Sequence, residues 1–282
     1  MINTVTLSSL SGRFGRRATL VLLILGVLFV LAFYTVTDVE RLAHDPALGG
    51  LDYAGYAICH RITERSFMIA GRQLPLCARC TGMYLGVALT FAVLALAGRT
   101  RWAQLPPFKT MAVLVGFVGM MGIDGVNSYS HFFPNFPHIY EPQNWLRLTT
   151  GMGTGLAMGV FIFPALAQTL WRNYEWRPSL AGLRELIWLV ALAIIAILLV
   201  LSNQPHLLYV LGIISAAGVV AILTAINTMV LLLATRRDAR FTHLREAALP
   251  LLAGLLLTLV EIAVISVLRF NLTGTMTGFP GL

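Results

Sequence analysis

Residues 207–233 read LLYVLGIISAAGVVAILTAINTMVLLL, 27 positions without one charged side chain. About 20 apolar residues, at about 1.5 Å of rise each, carry a helix across the hydrocarbon core of a bilayer. This segment therefore predicts a transmembrane helix with length to spare for tilt or a kink. The rest of the chain reads the same way. Of its 282 residues 57% are apolar and only 11% charged, with a mean hydropathy of +0.79. A soluble domain carries about a quarter charged residues, and disorder needs low hydrophobicity with high charge. Both classes are excluded.

Six further stretches qualify as spans or come close: residues 18–36, 82–97, 111–126, 150–170, 186–201 and 248–268. The expected fold is thus an all-α polytopic bundle of about seven spans in the cell's inner membrane. Arg16-Arg17 before the first span resemble a signal peptide. That apolar run is too long, however, and no small-residue cleavage site follows, so it is expected to stay as an anchor. The organisation reads as residues 1–36 (cytoplasmic N-terminus and first span), 37–81 (an extracytoplasmic Cys/His loop), 82–182 (spans two to four) and 183–282 (spans five to seven).

The basic surplus, 20 Lys+Arg against 12 Asp+Glu, sets orientation and meets anionic lipid; it does not read as nucleic-acid binding. With the N-terminus inside, 13 cations lie on the cytoplasmic side: Arg13, Arg16, Arg17, Arg99, Arg101, Lys109, Arg172, Arg177, Arg184, Arg236, Arg237, Arg240 and Arg245. Seven lie outside, which predicts N-terminus in and C-terminus out. Gly151, Gly155 and Gly159 recur every four residues, and Gly116, Gly119, Gly122 and Gly125 every three. Both sets predict close helix contacts, because small residues let backbones approach in lipid.

All three cysteines fall in or at the edge of residues 37–81, which contain Cys59-His60-Arg61, Glu64-Arg65-Ser66-Phe67 and Pro75-Leu76-Cys77-Ala78-Arg79-Cys80-Thr81. A Cys-x-x-Cys pair can bite one metal ion or close a small disulfide. The pair also precedes a span, where helix-end amides and Arg79 favour thiolate. Thr81 follows Cys80, so covalent c-type haem attachment is not expected. Cys59, His60, Cys77 and Cys80 match the ligand types of a tetrahedral zinc site. Cys59 and His60 are adjacent, so one of them can ligate while the other supports it. A structural or redox-active disulfide remains open beside the metal reading.

These residues, with Ile62, Gly71 and Gly82, resemble the signature of domain-of-unknown-function family 2085, a group of prokaryotic integral membrane proteins. The likeness is tight over residues 59–86 and looser through Asp124-Gly125 and residues 147–155. Residues 183–282 lie outside it. The resemblance implies a polytopic membrane protein and carries no activity or cofactor with it.

Other polar residues near the same face are candidates. Glu261 sits inside a span with Gly254 and Thr258 on its helix face, which predicts a Glu turned into the bundle; as a packing group it is either protonated or paired with Arg147 or Arg269. It reads as a relay, an outer ligand or a packing group. Asp124 and Arg147 are expected at the boundary near the cysteines, as a salt bridge or as anchors for a metal-bound water or head group. His131 and His138 belong to an aromatic, proline-rich segment suited to the headgroup belt, and His206 is a further donor. Arg61, Arg65, Arg79 and Arg147 suit phosphate or carboxylate, so membrane lipid and an anionic or lipid-like substrate at the outer leaflet are the expected partners. Three functions follow. One is an outer zinc centre, either closed or carrying an activated water. The second is a thiol–disulfide oxidoreductase using Cys77–Cys80 with quinone as electron partner. The third is a transporter or accessory subunit relying on Glu261. No nucleophile triad, His-Glu-x-x-His or phosphate loop marks it as an enzyme.

Overall fold

The computed structural model describes residues 38–131, 133 and 139–275, apart from the side chain of Arg41. In chain order the elements are α1 (Val39–Ala43), α2 (Pro46–Ile58), β1 (Ser66–Ile69), β2 (Arg72–Cys77), α3 (Ala78–Leu96), β3 (Trp102–Gln104), α4 (Phe108–Ser130), α5 (Asn144–Leu170), β4 (Glu175–Pro178), α6 (Leu183–Leu201), α7 (Pro205–Ala234) and α8 (Leu244–Thr273). Six of these, α3 to α8, are long and apolar enough to cross a membrane. They coincide with the second to seventh expected spans; the first, residues 18–36, lies outside the described residues, as does His138. Each helix is longer than the apolar stretch that marks it. Polar residues such as Arg79, Cys80, Asn127 and Ser128 continue the helix past the apolar run.

The α3–α5 pair is the axis of the molecule. Its closeness comes from glycine on both partners. A Cβ on Gly86 would lie 2.6 Å from the Met152 carbonyl oxygen, and one on Gly159 would lie 2.6 Å from Thr90 Cβ. Gly82, Gly151 and Gly155 are equally tight against the backbones of Leu148, Arg79 and Met83. The every-four stripe therefore packs as expected. The every-three set does not: Gly116, Gly119 and Gly122 meet nothing within 4 Å, and Gly125 meets only Arg79 Nη1, at 3.9 Å. The buried residues of α4 are Thr110, Leu114, Asp124, Asn127, Ser128 and Ser130, and these glycines lie on its remaining, open faces.

The long helices alternate in direction, which gives the bundle two ends. At one end β3 and β4 pair in parallel, and Arg99 forks onto Glu185 (Nη2 to Oε1 2.8 Å), tying the foot of α3 to the start of α6. At the other end, residues 38–77 form a folded cap where a loop over residues 37–81 was expected. Asp45 accepts from the Ala47 amide at 2.7 Å and Pro46 pre-sets the first turn of α2. β1 and β2 form an antiparallel hairpin whose two turn residues, Ala70 and Gly71, have φ of 47° and 78°. Such a two-residue loop needs left-handed backbone at both positions, which fits Gly71 and strains Ala70. Ala78–Thr81 belong to α3, so the cap ends at Cys77 and not at residue 81.

Candidate metal centre

Three elements converge on the cysteines. Cys59 is the residue that ends α2, with extended backbone (φ −120°, ψ 144°). Cys77 closes β2 and serves as N-cap of α3, and Cys80 lies in the first turn of that helix. The three Sγ atoms lie within 4.8 Å of one another, and all three thiols are unbridged. Cys59 and Cys77 are each 2% exposed, while Cys80 is half-buried. Leu76 and Val219 close the apolar wall around them, with Tyr84 and Leu223 behind.

The approach of the chain is fixed at two points. Gly55 lets α2 press against the Pro75 carbonyl, where a Cβ would overlap it. Arg61 then turns the chain in left-handed backbone (φ 51°) and is 6% exposed, its guanidinium 2.9 Å from Asp52. Arg72 meets the other oxygen of Asp52 at 2.8 Å. From α8, Arg269 donates to the carbonyl oxygens of Tyr56, Cys59 and His60 and lies 4.3 Å from the Tyr56 ring centre. One guanidinium thus collects the carbonyls left open where α2 ends. Sequence alone did not mark Arg269 for this role, since it lies 210 positions from Cys59.

The cluster's electrostatics favour one charged sulfur. Thiol hydrogen bonds from Cys77 and Cys80 hold Cys59 well below the ordinary thiol value, against the opposing effect of burial. The Cys77 amide also donates to Cys59 Sγ at 3.3 Å. Cys77, donating to Cys59, is pushed up to about 12. The hydrogen bonds converge on Cys59 Sγ, and the charge rests there.

The donor set has the chemistry and spacing that zinc takes. Tetrahedral zinc–thiolate bonds of about 2.3 Å place sulfurs about 3.8 Å apart. Separations up to 4.8 Å therefore close by about an ångström at most, so Cys59, Cys77 and Cys80 fit. His60 does not join them at that distance; its Nδ1 is 3.7 Å from Cys59 Sγ, at the edge of the cluster. Of the further donors, Asp124 is not among the ligands. It is 1% exposed and pairs with Arg79, not Arg147, and also accepts from the Tyr140 hydroxyl at 3.0 Å. Asp124 and Arg79 face each other across α4 and α3, a pairing their separation in sequence hides. His131 binds the Asn127 carbonyl at 2.8 Å and faces Glu141 at 3.6 Å. Glu261 is exposed on the outside of α8 and accepts from Asn227 Nδ2 at 2.8 Å. It neither faces the bundle core nor meets Arg147 or Arg269, and eight residues, about 12 Å of helix, separate it from Arg269.

Arg61 belongs with Asp52 and Arg72, whereas Arg65, Arg79 and Arg147 gather around the top of α4. The four arginines expected to meet anions thus fall into two groups.

Residues 59–161 match the family described as "Predicted membrane protein (DUF2085)". An uncharacterised protein of Methanothermobacter thermautotrophicus is 34% identical over 103 residues, 36% of this chain and 82% of the relative. The chain belongs to this family. A second uncharacterised relative, from Methanocaldococcus jannaschii, is 26% identical over 124 residues, 44% of this chain and 73% of its own length. No solved structure matches. The DUF2085 segment starts at Cys59 and ends inside α5, so it holds the cysteines, the α3–α5 axis, Asp124 and Arg147. Residues 183–282 lie beyond it, and Arg269 reaches the cysteines from there. The protein is a multi-pass membrane protein.

Proposed function

We propose that this DUF2085 protein carries a zinc centre on Cys59, Cys77 and Cys80, at the extracytoplasmic end of an inner-membrane helical bundle. The observation that carries the reading is the convergence of three sulfurs within 4.8 Å, Cys59 joining the Cys77–Cys80 pair from 18 positions away. A disulfide would use two of them, whereas a metal gives all three a partner. Bound zinc would supply three strong thiolate bonds to the point where α2, the hairpin and α3 meet. His60, whose Nδ1 is 3.7 Å from Cys59 Sγ, would support that ligand from beside the cluster. Cys59 and Cys77 are sealed by Leu76 and Val219, which favours a centre that holds the cap on the bundle over one that turns over substrate.

The test is metal analysis of full-length protein purified without chelator or His-tag, with a thiol count after denaturation. The expected result is about one zinc per chain and three titratable thiols once the metal is released. Serine at Cys59, Cys77 or Cys80 should each abolish stoichiometric zinc. Protein without metal and with a single free thiol would overturn the reading and make a cysteine pair the working element.

A further inference from the structure

Arg65, Arg79 and Arg147 stand together beside the cysteines, and the metal reading makes no use of them. Arg79 points into the gap between α3 and α4, where its Nη2 reaches Asp124 and Ser128 Oγ (3.2 Å). Arg65 reaches the same helix end, at the Ser128 carbonyl, 3.5 Å away. Arg147 feels the charges of both arginines as well as that of Asp124. Three guanidinium groups therefore gather at the end of α4, where Asp124 is the buried carboxylate, held by Arg79, and Glu64 is exposed at the rim.

Asp124 already has Arg79, the Tyr140 hydroxyl and, at 3.5 Å, the Thr150 hydroxyl. Arg147 meets a neutral oxygen instead, Asn144 Oδ1 at 2.9 Å. Its Nε, like that of Arg79, is buried without a hydrogen-bond partner among the described residues, although Arg147 as a whole is only 7% exposed. A buried guanidinium short of an anion is costly in a protein interior. Arg79 and Arg147 also occupy the first turns of α3 and α5, whose amide ends add further positive potential at the same place.

The neighbouring surface says what kind of anion fits. Gly125, the residue in front of Arg79, has no side chain to fill the space before that guanidinium. It also begins an open apolar groove of about 390 Å³ along the end of α4, lined by Gly125, Val126, Tyr129, Ser130 and Phe133. Charge thus sits at one end of a hydrocarbon-like trough on a membrane-facing helix.

We infer that Arg65, Arg79 and Arg147 bind the phosphate group of a membrane amphiphile whose hydrocarbon chain lies along the Gly125–Phe133 groove. Guanidinium forks match the paired oxygens of a phosphate, and several of them neutralise its charge. The site does not depend on the cysteines holding metal.

The experiment is a set of binding titrations on the full-length chain in neutral detergent. The probes are dioctanoyl phosphatidic acid, dioctanoylglycerol and inorganic phosphate. Expected are saturable binding of the phosphatidic acid, at least tenfold weaker binding of inorganic phosphate, and no saturable binding of the neutral diacylglycerol. Arg147→Gln and Arg65→Gln should each weaken the phosphatidic acid tenfold or more, while Arg72→Gln, whose charge is held by Asp52, should stay within twofold. Gly125→Leu should weaken the phosphatidic acid and leave inorganic phosphate unchanged. If Arg147→Gln does not fold, Arg65→Gln on the cap decides the same point. Phosphatidic acid that binds no better than diacylglycerol, or equally well to Arg65→Gln, would overturn the site. Inorganic phosphate binding as tightly as phosphatidic acid would overturn the amphiphile. Zinc content measured on the same samples keeps a failure here distinct from a failure of the metal reading.

Discussion

Among single residues, the cysteines carry the chemistry and Arg269 carries their geometry. Cys59 is held from one side by the amide of Cys77 and from the other through its own carbonyl, which accepts from Arg269. Arg269→Gln keeps some donor capacity but loses the fork and the charge, so the end of α2 should loosen. Partners of this kind, behind the ligands themselves, alter metal affinity by about 10- to 100-fold. We predict a loss in that range for Arg269→Gln, with all three thiols intact, read by competition with a chromophoric chelator. Unchanged affinity would mean that Gly55 and the hairpin alone place Cys59. The cysteines and His60 were legible in the sequence because their chemistry is local to a short motif. Arg269 was not, since nothing in an apolar helix with one basic residue near its end tells which carbonyls that residue will reach. Asp124 and Arg147 were marked as a pair, but the structure gives Asp124 to Arg79. Which of several arginines wins one carboxylate depends on how α3 and α4 cross, and no spacing rule encodes that.

At the level of elements, two glycine patterns of similar appearance behave oppositely, and this can be measured. Gly155 lies where any Cβ overlaps the Met83 carbonyl, whereas Gly119 faces open space. Gly155→Ala should force α3 and α5 apart, an overpacking that costs about 1–3 kcal/mol or more. Gly119→Ala has no such contact and removes a flexible residue from a helix, so stability should hold or rise, by about 1 kcal/mol at most. Thermal unfolding of the two variants in the same detergent checks the contrast, and equal effects would count against the α3–α5 axis. The positions of the spans could be read from the sequence because hydropathy reports directly on burial in lipid. The cap could not. Residues 38–77 mix short helices, a 3-10 turn at Thr63–Arg65 and a hairpin, none long enough to show a clear period. The clearest local signal there was Gly71, whose left-handed φ of 78° the hairpin turn requires.

For the whole molecule, the distribution of charge becomes sharper once side-chain exposure is known. Arg172, Arg177, Arg184, Arg236, Arg237, Arg240 and Arg245 all lie at the β3–β4 end, and all are exposed. At the cysteine end, Arg61, Arg65, Arg72, Arg79, Arg147 and Arg269 are each buried or half-buried. Asp52 holds Arg61 and Arg72, Asp124 holds Arg79, and backbone carbonyls hold Arg269. The positive-inside rule counts Lys and Arg whatever they pair with; with Arg99, Arg101 and Lys109 the β3–β4 end holds ten among the described side chains, against six at the cysteine end. We therefore expect the β3–β4 end to face the cytoplasm and the cysteine end to face outward. Glu141→Cys and Trp176→Cys mark the two ends; the Glu141 side chain is 86% exposed and Trp176 is 64% exposed. A membrane-impermeant maleimide applied to intact cells should label position 141 above the unsubstituted protein and spare position 176 until the cells are opened. The reverse pattern would put the three thiols in the reducing cytoplasm. There a stable disulfide is disfavoured, while a thiolate zinc centre is unaffected. Orientation therefore bears on the redox alternative as much as on topology: only the outward-facing arrangement leaves a cysteine pair able to compete with the metal for the same sulfurs.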